Sequence, residues 1–540
     1  MTTIVNDRAK LEAHYKAHKH EIYVGFNNRQ YDDYIFKAIL CGFNPWDMNC
    51  WIIREDRKGW EFSSMLRKIT LNSFDCMIGF NGLKTLEAFM GMNIRETTIP
   101  FDYDGDFTPE MISEVLEYNR HDVIATIQVF MERKSEFESY MGLVKLFNLP
   151  LSYLSKSKAQ LSAIILGAKK TRHKDEFDIS VPPTLQIKKY RHVVDFFLNR
   201  WNYDTNLETT IAGVPHVYGT GGIHGALPNY FGEGDFLHID VNSYYPSIML
   251  RYPEYCMSRT GASLEKFRGI YDQRLTYKAQ KNPMANALKI VINSTYGAMK
   301  DPMNPLYDPR SANNVCIFGM LLLTDLIEKL EGHCDLIQSN TDGLIVKLHG
   351  NYDEVCAICH EWEERTGMGL GYDRVTRICQ ADVNTYLAVF EDGEIEAKGG
   401  YIKKLNSLDN DLPIVNEAIK AYLMRGIPVD RTIMSCNSLI KFQKIYKLSG
   451  KYQFTMHNGV KSVDKCYRVF ASIDRTDTFL GKSKGEGCTV EKFASCPDHC
   501  RIVNDDIVGE SCPDWLDKQW YVNLAKTRLV EKFGLDPREV

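Results

Sequence analysis

Phe236-Leu-His-Ile-Asp240-Val-Asn-Ser-Tyr-Tyr-Pro-Ser247 is the stretch on which the reading of this chain turns. Residues 236–241 read as a strand that ends in an acidic residue, and the residues after it as a tight turn. A carboxylate at a strand terminus, followed by a turn with free backbone N–H groups, can hold a hard cation beside a phosphate chain. Two later segments go with it. Lys289-Ile-Val-Ile-Asn293-Ser-Thr-Tyr296-Gly297 spaces a cation, an amide and a ring at i, i+4 and i+7, so a helix sets them on one face. Such a row suits a phosphate, a sugar and a base. Gln338-Ser-Asn340-Thr-Asp342-Gly343, between the apolar runs CDLI and LIVKL, reads as a hairpin with Asp342 at its tip. Taken singly, each has an ordinary structural reading: a strand-end carboxylate, a solvated helix stripe and a turn.

Around these segments the chain has 540 residues, 44 % hydrophobic and 25 % charged, the mix of several ordinary cores rather than a disordered or fibrous product. With 65 basic and 70 acidic residues the net charge is −5, so a polyanion must be held by a local basic cleft. Fifteen cysteines without framework spacing read as reduced thiols. Cys488, Cys496, Cys500 and Cys512, with His499, fit no zinc spacing, and Cys356 and Cys359 fall in a helical pattern without a partner pair. No apolar h-region opens the chain and no run of eighteen apolar residues occurs, so the expectation is a soluble cytoplasmic protein without a membrane partner.

The first third mixes a short strand (IYVGF, 22–26), a helix leaving it (YDDYIFKAIL) and a long periodic helix over 113–134. A charged, breaker-rich stretch over 169–183 and a glycine-dense one over 218–235 read as boundaries. Asn282 as N-cap and Pro283 at the first helical position start a helix; with the helical stretch bearing Arg274 and Lys278 it makes an antiparallel pair that sets both cations facing Lys289. Three cations converging there suit a triphosphate.

Together, the three segments resemble the A, B and C motifs of family B DNA polymerases, D-x-x-S-L-Y-P-S, K-x3-N-S-x-Y-G and Y-x-D-T-D-S. The resemblance implies an α/β multidomain chain: an incomplete RNase H-like exonuclease module over 1–168, a linker and glycine-rich segment over 169–235, a palm over 236–404 with minimal helical fingers at about 265–300, and a thumb and tail over 405–540. It implies DNA-directed DNA polymerisation on primer–template DNA with dNTPs, driven by two Mg²⁺ ions, with Mn²⁺ as a substitute. By the same resemblance Asp240, Asp342 and the Val241 carbonyl hold metal, and Lys289, Arg274, Lys278 and Asn293 hold the nucleotide. Tyr245 excludes a 2′-hydroxyl, and Tyr296 packs against the nascent pair. Tyr218, Gly221 and Gly222 look like the Y-x-G-G/A element, and Lys398 and Tyr401 like the K-x-Y motif at the primer terminus. Asn340 stands where the family has aspartate, which removes one negative charge. Lysines 441, 444, 447, 451, 461 and 465 fall in the expected thumb.

The N-terminal third resembles the family's proofreading module. Asn28-Arg-Gln-Tyr-Asp32 matches its second motif and Tyr118-Asn-Arg-His-Asp122 its third. Asp32 and Asp122 are then metal ligands, Tyr118 orients water, Asn28 meets the strand, and Lys84 is an auxiliary lysine. No Asp-x-Glu precedes Asn28; Asp7 and Glu12 have the wrong spacing, and Asp102-Tyr-Asp104 comes too late and reads as a loop. The expectation is an impaired exonuclease, or one completed by a separate chain, with an unpaired sheet edge where further strands belong. The 49-residue steps from Asp240 to Lys289 and from Asn293 to Asp342 leave no room for a sizeable insertion. That favours ordinary primer extension over protein priming, in a compact viral or plasmid enzyme working in a host cytoplasm. A primase-polymerase and an inactive primer–template-binding homologue are the competing readings.

Overall fold

The computed structural model describes every residue except Met1, Ile78, Phe80, Asp102, Tyr203, Asp204 and Thr220. Asp102, of the Asp102-Tyr-Asp104 stretch, therefore lies outside the described residues. The chain forms two units, Met1–Ser155 with Lys404–Lys526, and Lys156–Lys403 with Thr527–Val540. The whole is α/β. Among the described residues no helix is long and apolar enough to cross a membrane.

In the first unit, β1 (Ile22–Gly25) pairs in parallel with β2 (Asn72–Asp75), and among the described residues these two make up their sheet. The long helix Pro109–Glu132 starts where Thr108 accepts the Met111 N–H and Pro109 takes the first position, a start that needs no N–H from proline. Phe130 and Phe137 meet Phe74 of β2 edge-on. Leu116, Val123, Ile127 and Met131 of the same helix stay exposed, as does Val24 of β1. The later part of the unit is strand-rich, with a three-stranded and a four-stranded sheet.

Arg468 ties that later part to the first. It lies in the strand Cys466–Ala471 and is 0 % exposed. Its guanidinium donates to the carbonyls of Glu87, Ala88 and Met92 at the end of the helix Leu83–Met90, and to those of Val503 and Asp505. The last carbonyls of a helix have no intrahelical donor and carry partial negative charge, so a cation there is well used. Burial nevertheless pulls its pKa down to about 10.

The second unit is built on a nine-stranded antiparallel sheet. Its strands are β3 (Leu207–Ile211), β4 (Val214–Gly219), β5 (Gly222–Ala226), β6 (Tyr230–Val241), β7 (Asp335–Asn340), β8 (Gly343–Lys347), β9 (Leu370–Asp382), β10 (Thr385–Phe390) and β11 (Ile395–Lys398). They run in the order β11-β10-β9-β6-β8-β7-β5-β4-β3. In β6, Leu237, Ile239 and Val241 are buried, so His238 and Asp240 share the opposite face. The helix Pro309–Leu330 is buried along most of its length, as a helix apolar nearly all round must be. Helices Leu264–Ala279 and Met284–Lys300 form the antiparallel pair. The second begins at Met284, one residue later than the sequence suggests, with the Asn282 side chain accepting the Met284 N–H at 2.9 Å.

The glycine-dense stretch, expected as a connector, is instead sheet: it supplies β4, β5 and the start of β6. Gly222 serves close approach. Gly222 has φ 141°, and a Cβ there would meet the Thr341 side chain at 3.1 Å.

Replacing Arg468 by Met removes the guanidinium from five carbonyls, of which those of Glu87 and Ala88 keep the Met92 and Gly91 N–H groups as donors. Loss of one partner from a buried charged network costs roughly 3–5 kcal/mol. The expected outcome is an unfolding free energy, read from urea melts, lowered by that amount, with faster amide exchange at the end of the helix Leu83–Met90; an unchanged free energy would show that these bonds add nothing.

Candidate active site

The β7–β8 hairpin turns through Thr341 and Asp342, and its register pairs Asn340 with Gly343. Asp240 of β6 in turn pairs with Gly343, and the Val241 N–H donates to the Asp342 carbonyl at 2.8 Å. This ladder sets Asp240 and Asp342 side by side at one end of the sheet. The backbone is strained on either side of them. Thr341 has φ 54° and Ser243 φ 49°, a left-handed conformation that costs a non-glycine residue roughly 1–3 kcal/mol and clusters at functional sites.

A cavity of about 750 Å³ opens beside the pair, lined by Asp240, Val241, Tyr245, Arg274, Lys278, Lys289, Asn293 and Asp342 among others. Carboxylates from the sheet, cations from both helices of the antiparallel pair and the Tyr245 ring thus meet in one space. Arg274 Nη1 donates to Ser243 Oγ at 2.9 Å, and its Nε is buried without a partner. Sequence reasoning missed Ser243. Tyr296 stands behind the cavity, its ring 4.6 Å from that of Tyr245.

A second cavity, of about 460 Å³, lies along the same carboxylates and is lined by His238, Asn340, Tyr386, Glu396 and Lys398. Lys398 Nζ donates to Glu396 at 2.7 Å and lies over the Tyr386 ring. Tyr401 is not in this space; its ring is covered by the Arg528 guanidinium at 4.8 Å. Two further expectations need correction. Tyr218, expected at primer–template, is 0 % exposed and hydrogen-bonded to Thr324 Oγ1 at 2.8 Å, as a core tyrosine is. Gly221 and Gly222 serve the site from within: the Gly221 carbonyl accepts from Tyr245 at 3.4 Å, and Gly222 makes room for the hairpin tip.

Burial pushes the Asp240 carboxyl up to about 6, with Asp342 adding repulsion and Lys398 opposing it. Asp342 is raised as well by partial loss of water, although its place at the tip leaves it the more exposed of the two. Among the described residues no lysine or arginine forms an ion pair with either. No three or more His, Cys, Asp or Glu side chains among them are arranged to hold a metal ion. Two hard oxygen donors and a neighbouring backbone carbonyl suit a Mg²⁺ ion, which keeps several ligands for water and phosphate. Asn340 spends its amide elsewhere: Oδ1 lies 3.1 Å from His224 Nδ1 and Nδ2 donates to the Val383 carbonyl at 3.3 Å. An aspartate there would set an oxygen against that carbonyl.

In the first unit, Asp32 and Asp122 line a cavity of about 270 Å³. Burial pushes Asp32 up to about 6, helped by Asp33, Asp75 and Asp122. Asp122 is answered by Lys84, whose Nζ donates to it at 2.5 Å and to Glu87 at 3.0 Å and lies over the Tyr118 ring. Glu87, 0 % exposed, was not legible in the sequence. Asn28, expected to meet a strand of DNA, is buried and donates to Ser73 and Asp33, so it braces β2 instead. Of the tail lysines, Lys441, Lys444 and Lys461 pair with Glu417, Asp411 and Glu486, and Lys447 donates to Asn81.

No known family profile matches the chain. Two curated proteins do, both named DNA polymerase 1: that of Saccharolobus solfataricus is 24 % identical over 205 residues, and that of Sulfurisphaera ohwakuensis 25 % over 206. Each match takes in 37 % of this chain and 22 % of the relative, so the chain spans about a fifth of the length of the curated relatives it matches. Among solved structures, the family B DNA polymerase of Pyrobaculum calidifontis aligns with 98 % of this chain and 73 % of its own, at 14 % identity and a TM-score of 0.43.

The raised Asp240 carboxyl has a consequence for stability. Folded, it keeps its proton up to about pH 6, whereas unfolded it releases it near the ordinary 3.8. Between these values the native state binds more protons, so stability falls as pH rises through that window, and the full penalty stands above it. In EDTA at pH 7.5, Asp240→Asn should therefore stabilise the chain by about 1–2 kcal/mol, after allowance for residual solvation. The gain should vanish near pH 4. Calorimetry at the two pH values checks this; a lower melting temperature at pH 7.5 would show the carboxylate to be stabilising.

Proposed function

We propose, from the family B DNA polymerase resemblance that the three motifs carry and the curated matches support, that this chain is a DNA-directed DNA polymerase. It would extend a primer 3′ end with dNTPs, in viral or plasmid replication within a host cytoplasm. The observation that supports this best is the shared cavity: two adjacent carboxylates face three cations from a helical pair. In this reading the nine-stranded sheet is the palm, the pair Leu264–Ala279 and Met284–Lys300 the fingers, and the later part of the first unit the thumb.

Asp240, Asp342 and the Val241 carbonyl would hold two Mg²⁺ ions, which supply activation of the primer hydroxyl and neutralisation of the triphosphate. Lys289, Lys278 and Arg274 meet the phosphates, with Arg274 held in place by Ser243. Charge that develops on the leaving phosphates is then met by cations already in position, which costs no reorganisation during transfer. Asn293, one turn beyond Lys289, is placed for the sugar. The Tyr245 ring, backed by Tyr244 and Tyr296, fills the space a 2′-hydroxyl would need. Lys398, in the second cavity, is placed for the primer strand.

The reading is tested by extension of a labelled primer with Mg²⁺ and dNTPs, beside an unprimed control that separates a primase-polymerase. Asp240→Asn and Asp342→Asn should each lower the rate by roughly a thousandfold. Primer–template affinity should stay within about threefold, because it rests on phosphate contacts elsewhere. Either variant at the wild-type rate would remove the metal assignment, and a wild-type chain that binds primer–template without extending it would favour the inactive homologue.

For the first unit we propose an exonuclease-like module that does not cut. Lys84 already neutralises Asp122, and Asp32 with Asp122 make at most part of a metal pair. The free edge of β1, beside the exposed Val123, Ile127 and Met131, suits a strand from a separate chain. Alone, the protein should degrade a single-stranded 3′ end at background rate; with a strand-bearing Asp-x-Glu partner, degradation should depend on Asp122. Strong Mg²⁺-dependent degradation by this chain alone, lost on Asp122→Ala, would overturn the proposal.

A further inference from the structure

Gly319 lies inside the buried helix Pro309–Leu330, where glycine is less stable than alanine and so calls for a reason. A Cβ there would come within 3.2 Å of the Tyr245 ring, 3.4 Å of the Tyr244 ring and 3.4 Å of Ile248 Cδ1, inside the usual carbon–carbon contact of about 3.5–4.0 Å. Two of these three neighbours are closed in. Ile248 is 0 % exposed, and Tyr244 is buried with its hydroxyl donating to the Gly319 carbonyl at 2.6 Å. Tyr245 is not, because it lines the cavity beside Asp240 and Asp342. Three residues earlier on the same helix, the Cys316 thiol stands 4.0 Å from the Tyr245 hydroxyl and bonds Tyr296 as well. The helix thus gives the Tyr245 ring both its space and an anchor at its hydroxyl end, and the motif reading uses neither residue.

We propose that Gly319 and Cys316 are positioning residues that set sugar selectivity through Tyr245: the glycine lets the ring lie back from the nucleotide, and the thiol holds its hydroxyl there. The proposal rests on the polymerase reading, in which this ring fills the space a 2′-hydroxyl would need. Packed side chains pass on a small displacement rather than absorb it. Alanine at 319 would therefore press the ring toward the cavity, the side left open to it, and tighten the space for the sugar. Loss of the thiol would leave the hydroxyl to the Gly221 carbonyl at 3.4 Å and let the ring drift. The two changes, made on one helix, act on selectivity in opposite directions, which a general loosening of the fold would not produce.

The test measures incorporation of dCTP and of CTP opposite a template guanine by wild-type chain, Gly319→Ala, Cys316→Ala, Tyr245→Phe and the double variant Cys316→Ala/Tyr245→Phe. The ratio of kcat/KM for dCTP over CTP should rise about fivefold in Gly319→Ala and fall about threefold in Cys316→Ala. In Tyr245→Phe it should fall at least as far, and adding Cys316→Ala should lower it no further, because both changes remove the same bond. Melting curves show which variants are folded; if Gly319→Ala is not, the Cys316→Ala and Tyr245→Phe cycle decides. A ratio that holds or moves the opposite way in a folded variant, or that falls again in the double variant, would overturn this inference alone and leave both residues to packing. Wild type that uses dCTP and CTP equally would remove the sugar role of Tyr245 and this inference with it. A wild-type chain that extends with neither would overturn the polymerase reading as a whole, and this inference with it.

Discussion

Two carboxylates that repel one another are held together, and most of the second unit is arranged around that fact. Two unit charges about 4 Å apart repel by about 4 kcal/mol at the effective dielectric near a protein surface. What prevents Asp240 and Asp342 from separating is backbone: the β6–β8 ladder pairs Asp240 with Gly343, and the Val241 N–H holds the Asp342 carbonyl. Left-handed residues on each side, Ser243 and Thr341, add strain to repulsion. The buried helix Pro309–Leu330 and the long β6–β9 pairing supply the stability that such an end of the sheet consumes. Stability given up at a site in this way is a common price of function.

The two units treat their acidic residues in opposite ways. In the first, Lys84 sits on Asp122 and Glu87, so the charge is neutralised within the protein. In the second, Lys398 is close to both carboxylates yet bonded to Glu396, and the three cations of the antiparallel helical pair stand across the cavity. The negative charge there has no ion-pair partner among the described lysines and arginines. Asn340 belongs to the same economy of charge: an amide satisfies both His224 and the Val383 carbonyl, where a third carboxylate would add repulsion and lose a donor.

The residues that meet around the first cavity were legible in the sequence because short segments carry them. Asp240, Lys289, Asn293 and Asp342 are recognisable from residue type and local spacing, and the hairpin at Asp342 and the helix face at Lys289 follow from periodicity alone. The long helix at Pro109 was legible for the same reason. What the resemblance implied for Tyr218 and Asn28 says nothing of burial, and the structure buries both side chains.

Tertiary structure alone decided the rest. That the glycine-dense stretch is sheet depends on which strands lie beside it, since glycine permits a turn and a close approach equally. Glu87 under Lys84, Arg468 on the helix end at Ala88 and Met92, and Ser243 on Arg274 are contacts between residues far apart in the chain, and no local pattern encodes them. His238 is the clearest case. In sequence it is one of several polar residues of β6, with Glu233, Asp235 and Asp240. Only strand alternation and the register of β6 against Gly343 set it beside the carboxylates. The sequence thus determined which groups the chain carries, through local geometry, and the fold decided which of them are free to act, because burial and pairing are properties of neighbours.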